Sequence, residues 1–257
     1  MNALFIVQLV VYILLCPPIL YVWYHHGWPG FLGWGYMVVF CAFRIIGGGM
    51  AINGTGTGPA ILAGLGISPL LLAVNGILDE ARIYRKPDQN RYLRLLLLAV
   101  MTAIVAAGIA EAGTGAAALG GSNPSSDDVT NASIGVGLFF TTWVLLVAWG
   151  LFQLRSTQQR RDAIAFREGT LLLYAIFASL IFVGIRVTYI LVAVATKKES
   201  LNPITGSLVV RVLLSFLPEL ISSLILIFAG LKTLEVGQIT KAGYGVPTAM
   251  AYSVWRN

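Results

Sequence analysis

The chain has 257 residues, 57% hydrophobic and only 11% charged, with a formal net charge of +6 and a mean hydropathy of +0.81. Soluble domains carry about a quarter charged residues, so an ordinary soluble domain is excluded. The basic residues sit in a few short segments, which fits a membrane surface, and no basic stripe interleaved with aromatics marks a nucleic-acid interface.

A bilayer core takes about 20 apolar residues per helix. Seven stretches reach that length: residues 3–24, 31–52, 58–81, 91–112, 133–154, 169–196 and 207–231. The first begins "MNALFIVQLVVYILLCPPILYVW". It lacks a basic n-region and is too long for a signal h-region, so it reads as a membrane span and not a cleaved signal. His25 and His26 follow it beside Trp23, Tyr24 and Trp28, a composition expected of interfacial anchors. Two connections are long. Glu111 to Ser133 is rich in Gly, Ser and Asp, and Leu154 to Glu168 is basic. The single Cys16 and Cys41 lie in apolar stretches with no Cys/His cluster, so no metal site is expected. No cofactor fingerprint is present either; "GGGMAINGTGTG" has no P-loop lysine.

Orientation follows from the excess of Lys and Arg on cytoplasmic loops. Arg82, Arg85, Lys86, Arg91 and Arg94 follow span 3; Arg155, Arg160, Arg161 and Arg167 follow span 5; Lys232, Lys241 and Arg256 lie in the tail, residues 232–257. Seven spans put all three groups on one side, with the N-terminus outside and the C-terminus inside. The sequons Asn53-Gly-Thr55 and Asn131-Ala-Ser133 then fall on the other side, which suggests a endoplasmic-reticulum or other secretory-pathway membrane of a eukaryote. Spans 2–3 and 6–7 look alike: each pair has a mid-helix arginine, in "VFCAFRIIGG" and "LIFVGIRVTYI". That suggests a 3+1+3 parallel repeat, as in some transporter folds. The expected fold is thus an all-α integral membrane protein, a seven-helix bundle forming a single membrane domain.

Ionisable residues at membrane depth are costly, by about 2.5–3.5 kcal/mol on insertion scales, and face the bundle interior with a partner. Arg44 is central in span 2 and Glu219 in span 7; Arg186 and Arg211 lie in the outer halves of spans 6 and 7, and Glu111 closes span 4. These five are expected to converge. Arg211, Ser215, Glu219 and Ser222 form one stripe at i, i+4, i+8 and i+11, and Pro218 loosens the helix beside Glu219. Ser179, Phe182, Arg186 and Tyr189 share a face of span 6. Three arginines against one or two carboxylates leave a positive charge for an anionic group, a carbonyl or an epoxide oxygen. Alternatively, Arg44–Glu219 and Arg186–Glu111 are buried pairs that fix packing. A second group, Asn75, Asp79 and Arg82, shares one face at the inner end of span 3, while Glu80 points elsewhere. It reads as an interfacial ion pair or as the inner mouth of a substrate path.

The candidate catalytic residues are therefore Glu219, Arg44, Arg186 and Tyr189. The candidate substrate-binding residues are Arg211, Ser215, Ser222, Asn75 and Asp79. In size, seven spans, short loops and the late midplane carboxylate Glu219, the chain resembles the small integral-membrane terpene cyclases of fungal meroterpenoid and indole-diterpene pathways. Those pair a late carboxylate with an early one; here no acidic residue precedes Asp79, and span 2 offers Arg44. The resemblance implies acid–base cyclisation, isomerisation or epoxide opening of a lipophilic, terpenoid- or polyketide-like substrate, without metal or cofactor. Protonated by burial, Glu219 is a proton donor; kept ionised by Arg44, it is a base. The alternative is a small-molecule or lipid transporter, or a ligand-binding membrane protein.

Overall fold

A computed structural model describes residues 3–53, 58, 62, 65–86, 90–119, 126–155, 165–196, 198–201 and 206–234. Helix α1, Ala3–Asn53, folds back on itself at Gly27, whose backbone (φ 61°, ψ −144°) is not helical. That conformation is essentially restricted to glycine. Beyond it the two arms run antiparallel. Trp23 Nε1 donates to the Phe31 carbonyl at 2.9 Å, the rings of Tyr12 and Phe40 meet edge-on at 5.3 Å, and Gly48 packs against Leu9 and Phe5. Each contact lies farther from the turn than the one before, as in a hairpin.

Helices α2 (Ile67–Arg85), α3 (Arg91–Leu119), α4 (Ser126–Arg155) and α5 (Phe166–Thr196) follow. A 3-10 turn at Glu199–Leu201 leads to a composite last span: α6 (Leu208–Arg211), a π-helical turn (Val212–Phe216) and α7 (Leu217–Lys232). Pro218 accounts for the π-turn. A proline has no N–H to give and its ring clashes with the carbonyl four residues back. The wider turn absorbs this, and Leu217 N–H instead bonds the Val212 carbonyl, five residues back.

Helix α2 is the centre of the bundle, with all but two of its residues buried. It crosses the second arm of α1 at Gly33 and Gly76 so closely that a Cβ on Gly76 would lie 2.5 Å from the Gly33 Cα. Small residues at such crossings let helices approach within lipid, where packing rather than water drives association. Around this core, large apolar side chains such as Leu14, Ile181, Leu213 and Phe228 face outward, as lipid contact requires.

Among the described residues, five helices are long and apolar enough to cross a membrane: Leu4–Ile52, Arg94–Thr114, Val129–Arg155, Phe166–Thr196 and Leu208–Lys232. The chain is thus an all-α, multi-span integral membrane protein. The first of the five contains both arms of α1, and hence the first two stretches read from the sequence. Helix α2, the third stretch, is missing from the five because Asp79, Glu80, Arg82 and Arg85 crowd one end. Two boundaries also move. Helix α3 continues to Leu119 and α4 starts at Ser126, so Asn131 lies on a helix and not in the expected loop. Thr55 of the other sequon, most of the basic connection after Arg155, and residues 235–257 of the tail lie outside the described residues.

Candidate functional site

Glu219 stands in the first turn of α7, just past the π-turn, and its side chain is fully buried. Arg44, from the second arm of α1, donates from Nη2 to Glu219 Oε1. Arg186, from α5, donates from Nε to the same oxygen at 2.7 Å. Two guanidiniums thus donate to one oxygen, the charge-assisted kind of hydrogen bond. The other oxygen, Oε2, is buried and has no hydrogen-bond partner among the described residues. Each arginine also rests on a ring: Arg44 lies 5.5 Å from the Phe40 centroid, Arg186 5.6 Å from Tyr189 and Arg211 5.0 Å from Phe5. The guanidinium of Arg44 lies over Gly66, where a Cβ would come within 2.5 Å of it. Glycine at the start of α2 therefore makes the space that Arg44 needs.

Above the ion triplet a cleft opens between the two arms of α1, α5 and the last span. Arg44, Arg186 and Arg211 line it with Gln8 and Ser215, under an apolar rim of Leu4, Phe5, Phe43 and Leu62. Its free interior is about 30 Å³; by the same kind of measure one water needs roughly 10–15 Å³. It holds two waters or one small polar group, and not an entire lipophilic molecule. Arg211 is 5% exposed and has no ion pair among the described residues. Three guanidiniums thus face one carboxylate.

The structure brings Arg44, Arg186, Arg211 and Ser215 together around one cleft, with Glu219 behind it, bonded to Arg44 and Arg186. Tyr189 lies beside them, but its hydroxyl donates to the Leu201 carbonyl at 3.0 Å. Ser222 is turned inward and donates to the Ser179 carbonyl at 3.2 Å. The alternative pairing of Arg186 with Glu111 is absent, since Arg186 is engaged by Glu219; Glu111 has no ion pair among the described residues. Asn75 and Asp79 do not reach this cleft. They line a separate, smaller crevice with Arg82, Met101 and Trp149, where Asp79 lies 3.8 Å from Arg82 and 3.6 Å from Arg94.

Two parts of the interior escaped the sequence reading. One is beside Glu219. Tyr12 is fully buried, with its hydroxyl unpartnered among the described residues and within electrostatic reach of Glu219, Arg44 and Arg186. The other is at the turn of α1. His26, expected as an interfacial anchor, is completely buried. Its Nε2 faces the Gly230 carbonyl at 2.9 Å and its Nδ1 faces Glu80 Oε1 at 2.5 Å. Glu80 also accepts from Trp34 Nε1 at 2.9 Å and Tyr84 OH at 2.7 Å. Gly230 is 11 residues beyond Glu219, roughly 16 Å along α7. The molecule therefore has two buried carboxylates at different depths. Glu80 accepts from three donors, whereas Glu219 has one oxygen, Oε2, that is buried without a hydrogen-bond partner among the described residues. Among the described residues no group of three or more His, Cys, Asp or Glu could hold a metal ion.

An all-α membrane protein with an arginine-bound carboxylate buried beneath a small polar cleft is the class that fold and site define. The family described as "Domain of unknown function (DUF7702)" matches residues 1–236, and the chain belongs to it. No curated protein matches the chain, and no solved structure matches it.

Proposed function

We propose that the Arg44–Glu219–Arg186 cleft receives the polar end of a lipophilic small molecule whose apolar remainder stays outside it, against the bundle or the bilayer. The observation that carries this reading is the uneven charge: three arginines against one carboxylate around a cleft too small for a whole ligand. On this reading the chain is a small-molecule-binding or transporting membrane protein. The π-turn at Val212–Phe216 supports it, because broken helices commonly frame binding sites at membrane depth.

A second reading, a cofactor-free intramembrane enzyme, draws on the buried Glu219 Oε2 that accepts no hydrogen bond. That oxygen acts as a general base, while the arginines stabilise an oxygen that gains negative charge. Cyclisation, isomerisation or epoxide opening of an oxygenated terpenoid- or polyketide-like molecule fits that chemistry. For topology we favour seven crossings, counting each arm of α1 and the central α2, with the N-terminus outside, in a eukaryotic secretory-pathway membrane. Arg44 and Arg186 meeting at one carboxylate supports a 3+1+3 repeat.

Mass spectrometry of small molecules that co-purify with the wild type, Arg44→Gln and Glu219→Gln separates these readings. Binding or transport predicts one unmodified molecule on the wild type that is depleted on Arg44→Gln. A precursor that accumulates on Glu219→Gln alone marks a catalyst. Nothing on any of the three contradicts both readings and leaves an ion triplet that only fixes packing.

A further inference from the structure

Arg44 and Arg186 both donate to Glu219, whereas Arg211, on the same cleft, has no ion pair among the described residues. Arg211 is the informative one. The residue is 5% exposed, lies 5.0 Å from the Phe5 ring and within electrostatic reach of Tyr189, and lines the cleft. Burying a guanidinium without an anion is expensive. Cation–π contact offsets part of that. Gln8 and Ser215 add neutral hydrogen-bonding groups to the same walls, and the rim is apolar. The arrangement is a cationic floor under an oily lip.

Resting on the reading that this cleft is a ligand site, we infer that its ligand is an anionic amphiphile: a single small oxyanion, carboxylate or unsubstituted phosphate, on an apolar tail. The size of the cleft sets the head group. An interior of about 30 Å³ favours a compact oxyanion over a bulky head such as phosphocholine or phosphoethanolamine. Arg211 and Arg44 hold the oxyanion, and Gln8 and Ser215 complete its hydrogen bonds. Glu219 stays bonded to Arg44 and Arg186 beneath it and sets how far the anion descends. The tail leaves between Phe5 and Phe43 toward the lipid.

The test is equilibrium binding to the purified full chain in non-ionic detergent. The probes are dodecanoate, phosphatidic acid, dodecanol, dodecyltrimethylammonium and phosphatidylcholine. Dodecanoate or phosphatidic acid should bind at least about ten-fold more tightly than dodecanol, and dodecyltrimethylammonium and phosphatidylcholine should not compete. Preference for dodecanoate assigns a free carboxylate ligand; preference for phosphatidic acid assigns a membrane lipid. Arg211→Gln should weaken the anion about ten-fold and leave dodecanol unchanged, while Arg211→Lys keeps most of the anion affinity. Equal affinity for dodecanoate and dodecanol, unaltered by Arg211→Gln, overturns the anionic class but leaves the cleft a ligand site. If no probe binds and no molecule co-purifies, the reading of the cleft as a ligand site fails as well.

Discussion

At the scale of single residues, Glu219 is defined by what surrounds it. Removing one partner of a buried ion group costs about 3–5 kcal/mol, because the remaining charge is left uncompensated in a medium that cannot solvate it. Glu219→Ala leaves Arg44 and Arg186 facing each other. It should lower stability by about that amount, read as a fall in the thermal unfolding midpoint in detergent. Tyr12→Phe should behave in the opposite way. The hydroxyl is buried and unpartnered among the described residues, so its removal leaves stability within about 0.5 kcal/mol or raises it. A marked loss would show that the hydroxyl is bonded. Arg44 and Glu219 were legible in the sequence because a charge in an apolar helix must find a partner. Gln8 and Tyr12 were not. Both belong to the first arm of α1, and only the folding back of that arm onto the second carries Gln8 to the cleft and Tyr12 to the ion triplet.

At the scale of elements, two local chemistries shape the bundle. Gly27 allows α1 to reverse, and the His26–Glu80–Trp34–Tyr84 network ties the reversal to α2 and α7. Both ring nitrogens of His26 face acceptors, so the ring and Glu80 share the charge of one buried ion pair. Glu80→Ala removes three hydrogen bonds at once and leaves His26 and Trp34 unsatisfied. We expect a loss of about 3–5 kcal/mol, measured by thermal unfolding, without direct disturbance of the Arg44–Glu219 contact roughly 16 Å away. The sequence placed His26 at an interface and turned Glu80 from the Asp79 face, which is correct in phase. It could not show that the Glu80 face meets the α1 turn, 54 residues earlier. Pro218 was the better guide. Its missing N–H announced a distortion beside Glu219, and the π-turn is the form that distortion takes.

For the whole molecule, apolar length alone is an incomplete guide because the central helix is the least lipid-like. Helix α2 needs no hydropathy facing lipid, since neighbouring helices cover it, and its charges cluster at the His26 end. Whether α2 crosses decides the topology. With α1 contributing two arms, seven crossings place Ala3 and Lys232 on opposite sides of the membrane, and six place them together. In a background without Cys16 and Cys41, cysteines introduced at Ala3 and Lys232 and treated with an impermeant thiol reagent in sealed vesicles should react from opposite faces. Reaction from the same face would mean that α2 is a re-entrant core element.

The most direct test of the account is the charge on Glu219. An infrared difference spectrum between the wild type and Glu219→Gln at neutral pH isolates this one group. The two arginine contacts predict that the antisymmetric stretch of an ionised carboxylate disappears in the variant. Loss of the carbonyl band of a protonated acid instead would contradict the arginine-held carboxylate, and with it the cationic cleft and the assignment of Glu219 as a base.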